Sequence, residues 1–191
     1  PMEYQVKTAH GTLFCRREGS GPLLLLIHGV ACDSEFFREA SAILSKKFTV
    51  ISYDRRGYSR SIPAEGETDF SVWAHADDAA EIIGAELKRK HEEEICLEES
   101  EPQMNGAEEQ SKVKDGQNIG FFVAGCSAGG AVTAALATKY PELVRQVFLH
   151  EPLMRGSGEL AAEQDAFWEK LHKSAEKHRI ITCMMHFVNA M

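Results

Sequence analysis

The chain has 191 residues, 43% of them apolar, a formal charge of −8 and a pI near 5.5. That length buries one sizeable core and is short for two ordinary domains. The acidic balance argues against a nucleic-acid or anionic-membrane surface, which would need a basic face. Five cysteines, Cys15, Cys32, Cys96, Cys126 and Cys183, stand far apart with no CxxC pair. Neither a zinc site nor a disulfide framework is expected, and a reducing, cytoplasmic setting fits.

In chain order, EYQVKTA and TLFCRRE alternate as half-buried strands about the turn pair His10-Gly11 and predict an opening hairpin. The unbroken run LLLLI, Leu23 to Ile27, has the pattern of a strand covered on both faces. Asp33 or Ser34 can cap a helix through Phe36, Phe37, Ala40, Ile43 and Leu44. FTVISYD predicts a second buried strand. Residues 70–90 predict a helix ending in the basic run Lys88-Arg89-Lys90. Residues 91–118 are rich in Glu and poor in large apolar side chains, and are expected to form a solvated acidic insertion. IGFFVAG then predicts a strand, Ala131 to Tyr140 a helix stopped by Pro141, and VRQVFLHEP another strand. The expected fold class is α/β: a mostly parallel sheet with an N-terminal antiparallel hairpin and helices on both faces. It occupies residues 1–152, and a helical cap or lid segment follows over 153–191.

Gly125-Cys126-Ser127-Ala128-Gly129 matches G-x-S-x-G between a buried strand and an alanine-rich helix, the context that gives this motif meaning. Ser127 there occupies a strained strand-to-helix turn, and small residues two positions either side let strand and helix approach closely. Alone, the motif is equally consistent with an ordinary tight turn. Three further segments occur in the matching order, LLLLIHGVACDS, YDRRGYSRS and YPELVRQVFLHEP. Together they resemble the α/β-hydrolase superfamily, and within it the serine-nucleophile branch of esterases and lactonases. The resemblance implies Ser127 as nucleophile, with the backbone N–H groups of Val30 and Ala128 forming the oxyanion hole. It implies a structural role for His28 and a turn organised by Asp54, Arg56 and Gly57. Ser59 stands where the family usually has a second glycine.

The resemblance also implies an acid and then a histidine after the serine, on loops beyond late strands. No histidine in the chain is an obvious base. Glu151, just after the last predicted strand, is the candidate acid, and it is equally readable as a pocket-wall carboxylate. His150 should point to the opposite side of that strand. His172, His178 and His186 lie on the expected cap helices, and His75 and His91 look solvent-facing. Two more β-α units of about 30 residues each would be expected of a whole fold, so the chain reads as the N-terminal part of one. A sheet cut there exposes an edge that a second copy would cover, making a homodimer the partner to expect.

The function implied is hydrolysis of a small ester, thioester or lactone through an acyl-enzyme at Ser127, without metal or organic cofactor. The alternatives are a non-catalytic hydrolase-like protein that holds a small ligand without turnover, an inactive fragment of a hydrolase, and a scaffold acting through the acidic insertion.

Overall fold

The computed structural model describes residues 1–100 and 120–154, and singly residues 162, 165, 166, 169 and 173. Contacts divide the chain into two compact units, Pro1–Leu153 and Met154–Met191. In the second, residues 162, 165, 166, 169 and 173 are helical, with Lys173 Nζ 2.6 Å from Glu169 Oε1 one turn away.

The first unit is built on one twisted sheet. The hairpin β1 (Met2–Thr8) and β2 (Gly11–Glu18) is antiparallel, and β2 runs antiparallel to β4 (Thr49–Tyr53). From there the sheet is parallel: β4 pairs with β3 (Leu23–Ile27), β3 with β6 (Phe121–Cys126), and β6 with β7 (Val144–His150). The order is β1-β2-β4-β3-β6-β7, and a short β5 (Ile62–Pro63) joins the side of β2. The α/β class, the hairpin and the parallel core are therefore those the sequence predicts.

All five residues of β3 and of β4 are buried, because helices cover both faces. Helices α2 (Val72–Ser100) and α3 (Ala128–Lys139) cover one face, where Leu25, Ile27, Ile51, Ile82, Val132 and Leu136 form the larger core. Each such side chain contributes about 1.5–3 kcal/mol by leaving water. On the other face Leu24, Leu26 and Val50 pack with Phe37, Leu44 and Phe48 around α1 (Arg38–Leu44). A short 3-10 turn, Ser34–Phe37, precedes α1, and Asp33 caps it by accepting a bond from the Glu35 N–H. Among the described residues β7 pairs only with β6, and Phe148 is 67% exposed, so the sheet is open at this edge.

One boundary differs from expectation. Helix α2 does not end at the basic run but continues through residues 91–100, assigned above to the acidic insertion. HEEEICLEES contains no Gly or Pro, and its Glu and Leu residues are good helix formers even when solvated. The turn also gains an anchor, since Arg17 Nη2 on β2 lies 3.1 Å from Glu93 Oε2. Arg17 and Arg89 together flank the fully buried Glu86 carboxylate, at 3.1 and 3.3 Å. The remainder of the expected insertion, residues 101–118, lies outside the described residues.

Candidate active site

Ser127 stands between the end of β6 and the first residue of α3, with φ 54° and ψ −122°. A non-glycine residue in this region costs on the order of 1–2 kcal/mol, so surrounding structure must impose it. Three backbone bonds of 2.9 Å do so: Ser127 N–H to the His150 carbonyl, and the Gly130 and Leu153 N–H groups to the Ser127 carbonyl. The glycines around it are sites of close approach. A Cβ on Gly125 would collide with the Gly129 carbonyl and Thr133 Oγ1, and one on Gly129 with the Ile27 and His28 carbonyls. The His28-Gly29 turn lies against the serine, since a Cβ on Gly29 would sit 3.2 Å from Ser127 Cβ and 3.6 Å from its Oγ.

Among the described residues neither the Val30 nor the Ala128 N–H donates a hydrogen bond. Ala128 opens a twelve-residue helix, whose first N–H groups carry partial positive charge. Both residues line one cavity of about 700 Å³, together with Arg55, Tyr58, Phe70 and His75. The cavity thus adjoins the serine turn on the side of its two free amides.

His28 is fully engaged as a brace. Its Nδ1 is 2.8 Å from the Gly29 carbonyl, and its Nε2 accepts from the Arg55 N–H at 2.9 Å. Burial, aided by the Arg55 charge, brings its pKa down to about 4, so the ring is neutral near pH 7. With both nitrogens occupied it has no lone pair to offer Ser127.

Asp54, at the end of β4, ties three loops together. Its Oδ1 accepts from the Ser34 N–H at 2.9 Å, and its Oδ2 accepts from Arg60 Nε at 2.7 Å and from the Arg60 N–H at 3.1 Å. Burial alone would raise its pKa, but Arg60 and the Ser34 bonds overcome it and hold the group at about 2. A folded pKa below the unfolded value adds stability above the unfolded pKa, near 4, that is lost as the pH falls toward 2. Acid titration of the unfolding free energy should therefore show a loss of about 2 kcal/mol over this window, and Asp54→Asn should remove it. Ser59, where the family usually has glycine, adopts φ 46°, so the turn keeps the glycine-like conformation.

The candidate bases and acid are dispersed. Glu151 follows β7 directly, is exposed and has φ 44°. The His150 side chain lies with its Nδ1 3.5 Å from Cys126 Sγ, while only its carbonyl reaches Ser127. His91 is exposed, but His75 is not solvent-facing as expected: it is 4% exposed on the inner face of α2, beside Tyr58. It shares that face with Ala79, Ile82 and Glu86, a helical spacing visible in the sequence. His172, His178 and His186 lie outside the described residues. Among the described residues no side chain hydrogen-bonds Ser127 Oγ, and no group of three or more His, Cys, Asp or Glu could hold a metal ion. Arg55 and His75 are among the cavity residues that sequence reasoning missed.

Comparison with known proteins converges on the same fold. Residues 22–91 match the family model described as the alpha/beta hydrolase fold. An uncharacterized hydrolase of Bacillus subtilis, YraK, is 31% identical over 160 residues, which is 82% of this chain and 47% of the relative. The 2-(acetamidomethylene)succinate hydrolase of Mesorhizobium japonicum is 32% identical over 136 residues, 71% of this chain and 37% of the relative. A crystal structure of an E-2-(acetamidomethylene)succinate hydrolase superposes with a TM-score of 0.56 at 29% identity, covering 76% of this chain and 42% of that one. The chain belongs to the α/β-hydrolase superfamily. It spans less than half the length of these hydrolases. No helix among its described residues is long and apolar enough to cross a membrane.

Proposed function

We propose that this α/β-hydrolase chain carries the nucleophile and oxyanion half of a serine hydrolase acting on a small ester, thioester or lactone. Ser127 Oγ attacks the carbonyl carbon as its proton passes to a base, and collapse of the tetrahedral intermediate expels the alcohol, thiol or ring oxygen. Water then hydrolyses the acyl-serine. The Val30 and Ala128 N–H groups receive the oxyanion. Glu151, next to the carbonyl that anchors Ser127, is the proposed acid; the base belongs to residues other than those described. The observation that carries this reading is the conformation of Ser127, held at φ 54° beside Gly29 and two undonated amides. The name of the succinate-derivative hydrolase supports a small carbonyl substrate.

A fluorophosphonate probe should label the wild-type chain and leave Ser127→Ala unlabelled. A folded wild type that resists the probe overturns the reading for this chain. Because no described side chain bonds Ser127 Oγ, a second reading is a pocket that binds without turnover. It expects ligand-dependent thermal stabilisation with neither labelling nor product.

A further inference from the structure

Among the described residues two arginines are buried, Arg55 and Arg56, and one of them lacks a carboxylate partner. Arg56, 1% exposed, meets Asp78 and Glu67 at 2.6 and 3.3 Å. The partly exposed Arg60 and Arg17 also have carboxylate partners, Asp54 and Glu86. Arg55 is 3% exposed, yet no carboxylate among the described residues lies within ion-pair distance of it. Its side chain donates from Nη2 to the Gly29 carbonyl at 2.7 Å and packs over the Tyr58 ring at 4.4 Å, and its Nε has no acceptor. Beside it His75 is buried with Nδ1 unpartnered. Burial, reinforced by the Arg55 and Arg56 charges, lowers the His75 pKa to about 3, so the ring is neutral, with one N–H to donate, and adds no second cation.

A buried cation without a counter-ion costs several kcal/mol unless something else neutralises it. Arg55 and His75 line the same cavity as Val30 and Ala128. A molecule whose carbonyl meets those two amides can therefore place a second group against the unpaired guanidinium. We propose that Arg55, assisted by His75, is the anchor for a carboxylate on the substrate, making the substrate class a short monoanionic ester such as the half-ester of a dicarboxylic acid. A planar guanidinium matches a carboxylate better than any neutral group of that size. A single unpaired cation suits one negative charge, because the neighbouring Arg56 is already neutralised. This deepens the proposed function and rests on its assignment of the cavity beside Ser127 as the substrate pocket.

The test is calorimetric titration of the full chain carrying Ser127→Ala, which prevents turnover, with monomethyl esters of four- to six-carbon dicarboxylic acids and with the matching neutral dimethyl esters. At least one half-ester should bind about tenfold or more tightly than its diester, the gain expected of a charge-assisted bond. Adding Arg55→Gln should abolish the preference, and Arg55→Lys should restore part of it. If Arg55 only braced the Gly29 carbonyl, its replacement would weaken both esters alike. Equal binding of half-ester and diester, no binding of either, or a preference that survives Arg55→Gln overturns the proposal. The first two outcomes need only the Ser127→Ala chain, so an unfolded Arg55 variant does not block the decision. Labelling of the wild type by fluorophosphonate with no half-ester preference would sink this inference alone. A preference without labelling would sink the serine-hydrolase reading and leave the carboxylate site.

Discussion

Gly129→Ala should lower the unfolding free energy by about 3 kcal/mol, the upper range for forcing an extra methyl into a packed site, and should abolish labelling of Ser127. The added Cβ would land on the Ile27 carbonyl and within 2.6 Å of the His28 carbonyl. Both are backbone atoms of the β3 end, so relief requires α3 to move away from the sheet and not merely a side chain to rotate. Moving α3 carries Ala128 off the cavity and breaks the contact of Gly29 with Ser127. Gly84→Ala is the control. Gly84 lies within α2 with open space around its Cβ, and helix propensity there favours alanine by about 0.5–1 kcal/mol. Urea unfolding of the two variants should move in opposite directions. Equal, small shifts would show that the turn is looser than its packing indicates.

Much of this fold was legible because its strands are covered. LLLLI and TVISY have no alternation, and both proved buried at every position. The strand-to-helix turn at Ser127 was legible because steric demand dictates residue type: only residues without a Cβ fit at 125 and 129. Three features were not. β5 is two residues long and contains a proline, so it has no periodicity to detect. The C-terminal turns of α2 were hidden by composition, since a glutamate-rich solvated helix and a glutamate-rich loop look alike until their ion pairs with β2 are seen. His75 and Arg55 were misplaced or overlooked because polar side chains read by default as surface. For His75 the spacing to Ala79, Ile82 and Glu86 carried the correction. For Arg55 nothing local did: its burial follows from the packing of the β4 turn under Gly29 and Tyr58. The base proposed for Ser127 is illegible for a different reason, because the members of a catalytic triad meet in space at separations that sequence does not encode.

Asp78→Ala should destabilise the protein by about 3 kcal/mol, the lower end of the range for orphaning a buried charge. Arg56 and Asp78 are each 1% exposed and joined by two bonds, Nε to Oδ2 at 2.9 Å and Nη2 to Oδ1 at 2.6 Å. The low end is expected because Arg56 keeps Glu67 at 3.3 Å and the Asp69 carbonyl at 3.0 Å. Asp78→Asn, which retains volume and one acceptor, should cost less. The double variant Arg56→Met/Asp78→Leu should unfold close to wild type, since removing both charges also removes their desolvation cost. Stability and site should then separate. Arg56 clamps the β4 turn to residues 69–78, which supply Phe70, Val72 and His75 to the cavity wall. A double variant as stable as wild type but with weakened half-ester binding would mean that the pair shapes the pocket more than it holds the fold. Unchanged binding would confine its role to stability.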